Sequence, residues 1–188
     1  IVCQKLGDAE NMANNGLDDI LMTYNIVGRQ KVRRLTELAK LRRMTVTVDS
    51  LAVAKGISDQ AALDDVTVGV LVEFDTGGGR TGVQSPAAAE ELGLQVQDLP
   101  GLELRGLMTY PSRVASKPIV DETVDRFKKA GLSLEIISGG GTGEEWESNF
   151  FFQASDVVFE CDSTGTVTCV NFGDTAKKPR KVRFNLLI

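Results

Sequence analysis

Val66-Thr67-Val68-Gly69-Val70-Leu71-Val72-Glu73-Phe74 runs straight into Asp75-Thr76-Gly77-Gly78-Gly79-Arg80-Thr81-Gly82-Val83, and Ser85-Pro86 follows at once. The first segment is apolar without alternation, which suits a strand buried on both faces. The second is a glycine-rich turn. The third is a helix start, a capping hydroxyl followed by a proline whose missing N–H costs nothing there. Ala88, Leu92 and Val96 then repeat at helical spacing. Strand, turn and helix in that order make one β/α unit of a parallel-sheet protein.

The same unit recurs on either side. Strands are expected at Ile1–Gln4, Asp19–Tyr24, Met44–Val48, Leu102–Thr109 and Leu134–Ser138, with a weaker seventh at Asp156–Glu160. Val32, Leu35, Leu38 and Ala39 form one helical stripe, and Val120, Val124 and Phe127 another, while Gly16 and Gly131 stand where helix C-terminal glycines belong. The fold class is α/β, a (β/α)8 TIM-type barrel. Such a barrel takes roughly 250 residues. The 188 present, with six firm units and the weaker seventh, fall one or two units short of eight. Residues 1–155 are assigned to this incomplete barrel and 156–188 to a last strand, a β-hairpin and a tail. The hairpin is read from Val157–Asp162 and Thr166–Val170 around Ser163-Thr164-Gly165, a short β extension at the C-terminus. The run Lys177-Lys178-Pro179-Arg180-Lys181 is read as a solvated linker.

Composition narrows the function classes. Hydrophobic residues make up 42% of the chain, and 21 Lys+Arg against 26 Asp+Glu leave a net charge of −5. That gives no electrostatic reason to expect nucleic acid or an anionic membrane as partner, and no stretch approaches the roughly 20 apolar residues of a membrane helix. Cys3, Cys161 and Cys169 are an odd number without metal-ligand spacing, which points to a reducing compartment, and the expected location is cytoplasmic. Histidine is absent, so chemistry here rests on Lys, Tyr, Cys, carboxylates or a cofactor.

Three strand ends carry candidate site residues. Ser138-Gly139-Gly140-Gly141-Thr142 ends an apolar strand in glycines whose N–H groups can face one anion, flanked by two hydroxyls; Glu144-Glu145 then starts a candidate helix. A plain flexible turn has the same composition. Arg80 stands in the Gly run after Glu73 and Asp75, where its fork can hydrogen-bond a ring nitrogen or a carboxylate, or pair with one of those two acids. Tyr110 ends Gly106-Leu107-Met108-Thr109-Tyr110-Pro111, placed to stack on a planar ligand, to relay a proton, or to sit as an amphipathic rim residue. In a (β/α) barrel all three ends open on one mouth.

Taken in order, Gln4-Lys5-Leu6-Gly7-Asp8-Ala9-Glu10, Asp18-Asp19-Ile20-Leu21, Asp75 to Val83, Gly106 to Tyr110 and Ser138 to Thr142 resemble the D-threonine aldolase and D-serine dehydratase-like proteins. These are fold-type III pyridoxal-phosphate enzymes sharing the alanine racemase N-terminal barrel. The resemblance covers Ile1 to Trp146. It implies pyridoxal phosphate as cofactor, its phosphate on Ser138, Gly140, Gly141 and Thr142, its pyridine nitrogen facing Arg80, and Tyr110 near the ring. The implied activity is that of a lyase or racemase, most like retro-aldol cleavage of a β-hydroxy D-amino acid to glycine and an aldehyde. A cofactor and an amino-acid substrate are then the partners, with no nucleic acid, no membrane and a homodimer as the assembly.

The sequence also departs from that pattern. The family holds its cofactor on a lysine in the first barrel strand, ahead of the position of Ile1, so the resemblance implies a (β/α)8 barrel lacking its first β/α unit, and Lys5 is the substitute on offer here. With that lysine missing, the chain alone is expected to be inactive. The His and Cys or Asp metal ligands of the metal-dependent members have no counterpart, and no metal site is assigned. Position 139 is glycine where a hydroxyl residue is usual, and Gly143 stands where proline is common. Two other readings stay open: a non-catalytic barrel that binds pyridoxal phosphate or another small phosphate, and a truncated or engineered fragment whose open edge is closed by its own C-terminus or a second copy.

Overall fold

The computed structural model describes residues 1–140 and three later strands, 157–161, 167–171 and 181–183. Strands β1 (Val2–Cys3), β2 (Asp19–Met22), β3 (Arg43–Val48), β4 (Val68–Glu73), β5 (Leu102–Met108) and β6 (Ile136–Ser138) alternate with helices α1 (Leu6–Asn14), α2 (Arg29–Ala39), α3 (Leu51–Leu63), α4 (Pro86–Gln97) and α5 (Lys117–Lys129). The six expected strands are all present, five of them shorter by one to three residues and β3 longer by one, starting at Arg43. They form one sheet in the order β1-β2-β3-β4-β5-β6, and every pair is parallel. An unreversed strand order with right-handed crossovers puts all helices on one face. That is single winding, the arrangement of a (β/α) barrel wall, and not the two-sided doubly wound sheet.

The two faces differ accordingly. Ile20, Met22, Met44, Val46, Val48, Val68, Val70 and Val72 point at the helices and share one core with Leu35, Ile57, Leu92 and Phe127. The alternate residues Leu21, Leu71 and Met108 form a second, smaller cluster on the inner face. Thr45, Thr47, Glu73 and Arg105 share that inner face, and none is more than 2% exposed. Arg105 lies across Gly69 of β4 to reach the Thr45 hydroxyl at 2.6 Å, and its other nitrogen bonds Glu135 at 2.7 Å. A Cβ on Gly69 would meet the Arg105 side chain at 2.7 Å, so this strand glycine makes room for a charged bridge. The register slips at β5, where Val70 pairs with Leu104 but Leu71 pairs with Gly106. This bulge keeps Arg105 inside without reversing the faces of Leu107 and Met108.

Helix boundaries follow the sequence signals. Ser85 Oγ accepts the Ala88 N–H at 3.2 Å ahead of Pro86. Gly16 and Gly131 follow α1 and α5 with φ of 88° and 70°. In α4 the buried stripe runs through Ala89, Leu92, Gly93 and Val96, so Ala89 and not Ala88 faces the sheet. The Asp156–Glu160 reading as a seventh barrel strand is corrected. Strand β7 (Val157–Cys161) pairs antiparallel with β8 (Val167–Asn171), and β9 (Lys181–Arg183) adds to β8 in a separate sheet. Only a handful of residues separate β7 from β8, enough for a hairpin and too few for a crossover. Lys181 belongs to β9, so the linker reading of the basic run fails at that residue; 177–180 lie outside the described residues. Among the described residues no helix is long and apolar enough to cross a membrane.

Candidate functional site

The C-terminal ends of β4, β5 and β6 are joined by side-chain hydrogen bonds. After β4, the Asp75 carboxylate accepts the N–H groups of Gly77, Gly78 and Gly79 at 3.0, 2.7 and 2.9 Å. Asp75 N–H donates to the Val83 carbonyl and Val83 N–H to that of Glu73, both at 2.9 Å, closing residues 75–83 into a fixed loop. Gly82, at φ 105°, is required there, since a Cβ would stand 2.6 Å from the Asp75 nitrogen. Thr76 Oγ1 donates to the Pro111 carbonyl at 2.6 Å and lies 3.0 Å from Thr109 Oγ1, while Ser116 Oγ donates to the Thr76 carbonyl at 3.1 Å. The Thr109 N–H reaches the Ser138 carbonyl at 2.9 Å, and Ser112 bonds Gly140.

The 75–83 loop delivers Arg80 onto two aromatic rings, with its guanidinium carbon 4.7 Å from the centre of Tyr110 and 5.7 Å from that of Tyr24. An Arg80 nitrogen is also 3.7 Å from Glu73 Oε1. Of the two acids offered as its partner, Glu73 is the one that pairs; Asp75 is taken up by backbone N–H groups. Glu73 is 1% exposed, and Oε1 also accepts the Thr81 hydroxyl. Among the described residues its Oε2 has no hydrogen-bond partner, nor has the buried Thr47 Oγ1. Burial pushes the Glu73 carboxyl above the usual carboxylate range, an effect that the Thr81 hydroxyl and Arg80 offset in part.

A charged planar group, tyrosine faces, a buried carboxyl and a glycine turn therefore meet at one end of a parallel sheet. Residues 1–143 match the family model described as alanine racemase, N-terminal domain. The chain belongs to the alanine racemase N-terminal domain family. Among its relatives, the 3-hydroxy-D-aspartate aldolase of Paracoccus denitrificans is 29% identical over 174 residues, 85% of this chain and 44% of that protein. The D-threonine aldolase of an Arthrobacter species is 31% identical over 157 residues, 76% of this chain and 41% of that protein. The crystal structure of D-threonine aldolase from Filomicrobium marinum superposes with a TM-score of 0.74 at 30% identity, covering 80% of this chain and 44% of that one. The chain thus spans less than half the length of these relatives.

Within this alanine racemase N-terminal domain, the structure brings Arg80 and Tyr110 into contact and ties Ser138 and Gly140 to the Tyr110 strand. Gly141, Thr142 and the Glu144-Glu145 helix start lie outside the described residues. The expectation that the loop N–H groups are free for an anion needs correcting at Gly140, whose N–H is donated to Ser112 Oγ at 3.0 Å. Lys5 precedes α1, exposed, with its carbonyl accepting the Asp8 and Ala9 N–H groups; it has no part in the Arg80 stack. Tyr24 and Ser112 are site residues that the sequence reading passed over. Tyr24 closed the expected strand Asp19–Tyr24, the same strand-end position that singled out Tyr110, so its signal was available. Ser112 had none, because its role is set by a neighbour 28 residues away.

Proposed function

We propose that this chain is the cofactor-holding barrel part of a pyridoxal-phosphate enzyme of D-amino-acid metabolism, most like a D-threonine aldolase, which cleaves a β-hydroxy D-amino acid to glycine and an aldehyde. The observation that carries the reading is the meeting of Arg80, Tyr110 and the Ser138–Gly140 turn across three bonded strand ends in a domain of this family. The described residues fit the group. At Gly140, φ 127°, a Cβ would meet nothing within 4 Å, so the turn backbone lies open to close approach by an anion there, while Ser112 Oγ fills the space beside Gly139.

In this assignment Ser138, Gly141 and Thr142 hold the phosphate, Gly140 shapes the turn with its N–H on Ser112 Oγ, Arg80 faces the pyridine ring and Tyr110 stands beside it. When bound, the cofactor supplies an electron sink for a carbanion at the substrate Cα. The protein's share is position and charge. Glu73 and two tyrosine rings hold Arg80 in place, and its planar fork can donate a hydrogen bond to the ring nitrogen it faces. Lys5 is exposed and apart from the stack, so the reading gives this chain the holding of the cofactor and not turnover alone.

A second reading, a phosphate-binding barrel without chemistry, is favoured by that same position of Lys5. Titration with pyridoxal phosphate separates them from a structural domain. Saturable binding that weakens in Arg80→Ala supports both. A borohydride-fixed adduct on Lys5 excludes the non-catalytic one, and absence of saturable binding would sink both.

A further inference from the structure

Ser112 follows β5 on the loop to α5 and is 4% exposed. Its N–H donates to the Gly140 carbonyl at 3.0 Å, and its Oγ accepts the Gly140 N–H at the same distance. The one proton of the hydroxyl is directed at the Thr109 carbonyl 3.4 Å away, at the far limit of a hydrogen bond. A Cβ on Gly139 would fall 2.5 Å from this oxygen but 3.4 Å from the Ser112 Cβ. The hydroxyl of one strand end thus fills the space that a side chain at 139 would take on the next.

We infer that Ser112 is a ligand of the anion bound at the Ser138–Gly140 turn, its hydroxyl supplying from the β5 loop the donor that glycine at 139 lacks. The inference rests on the phosphate reading above. A hydroxyl has two lone pairs and one proton. One lone pair fixes Gly140, which shapes the turn, and the proton is engaged weakly enough for a phosphate oxygen to take it from a neutral carbonyl. Because the hydroxyl is buried, bulk water does not compete for that proton.

The test uses pyridoxamine 5′-phosphate, which cannot condense with a lysine, and pyridoxamine as its phosphate-free counterpart, both titrated calorimetrically into the chain. Ser112→Ala is expected to weaken pyridoxamine 5′-phosphate by roughly ten- to a hundredfold, the value of a hydrogen bond to a charged group, and to leave pyridoxamine unchanged. Ser112→Cys, which keeps the shape with a weak donor, is expected to behave as the alanine variant does. Ser112→Ala with Gly139→Ser is expected to recover part of the loss. A Ser112→Ala or Ser112→Cys protein that binds the phosphate form as tightly as wild type, or loses both ligands equally, overturns the assignment. Wild-type protein that shows no preference for the phosphate form overturns the phosphate reading beneath it.

Discussion

The Arg80 guanidinium stands 4.7 Å above the Tyr110 ring, so the face of the tyrosine at the end of β5 is covered by a cation carried on the β4 loop. Neither residue reaches the other by sequence proximity. The loop that Asp75 and Gly82 fix makes the contact, and Glu73 anchors it from below. A double-mutant cycle with Arg80→Ala and Tyr110→Ala, followed by urea unfolding, is expected to give a coupling of about 0.5–1 kcal/mol, since Arg80 is partly exposed. A coupling indistinguishable from zero would show that the stack carries no energy.

Glu73 sets a pH dependence. Its folded-state pKa is raised, mainly by burial, so its protonated form suits the fold. The associated stability is full below the unfolded pKa and is lost as pH rises through the folded value. Glu73→Gln removes this loss. The variant is expected to melt above wild type at neutral pH, with the difference shrinking as the pH falls toward the ordinary carboxylate range. A difference that stays constant with pH would show that Glu73 does not titrate in that way.

Asp75 accepts three backbone N–H groups with one carboxylate and is 7% exposed. Asp75→Ala leaves those donors unmet and is expected to cost about 2–4 kcal/mol in denaturant unfolding. Faster proteolytic cleavage within 76–82 would accompany it. Unchanged stability and cleavage would mean that the loop is held by other bonds.

Gly106 has φ 144°, and a Cβ there would come within 1.9 Å of the Ile136 carbonyl oxygen of β6. Gly106→Ala therefore forces β5 and β6 apart, at an expected cost of about 3 kcal/mol or more. Measured by chemical denaturation, a loss below about 1 kcal/mol would show that the strands adjust freely.

The six strands, their parallel pairing and the helix start at Ser85-Pro86 were legible in the chain. An unbroken apolar run such as Val66–Phe74, followed by a glycine turn and the helix that Ser85 caps, marks a β/α unit, because hydrophobic period and capping chemistry are local. Two of the three candidate loops stood out as glycine runs at strand ends, 77–79 and 139–141, and the third as Tyr110 closing a strand. The hairpin at 157–171 competed with a seventh parallel strand, and the short spacing decided it.

What the sequence determined alone is the (β/α) alternation, the family, and the placing of Arg80, Tyr110 and Ser138 at strand ends. Only the tertiary structure decided that Arg80 pairs with Glu73 and lies on Tyr24 and Tyr110, that Arg105 crosses Gly69, and that Ser112 takes the Gly140 N–H. The reason is physical. Periodicity and capping act between residues a few positions apart, while burial of Glu73, the choice between two candidate acids and the filling of the space at 139 depend on which strand end curls against which.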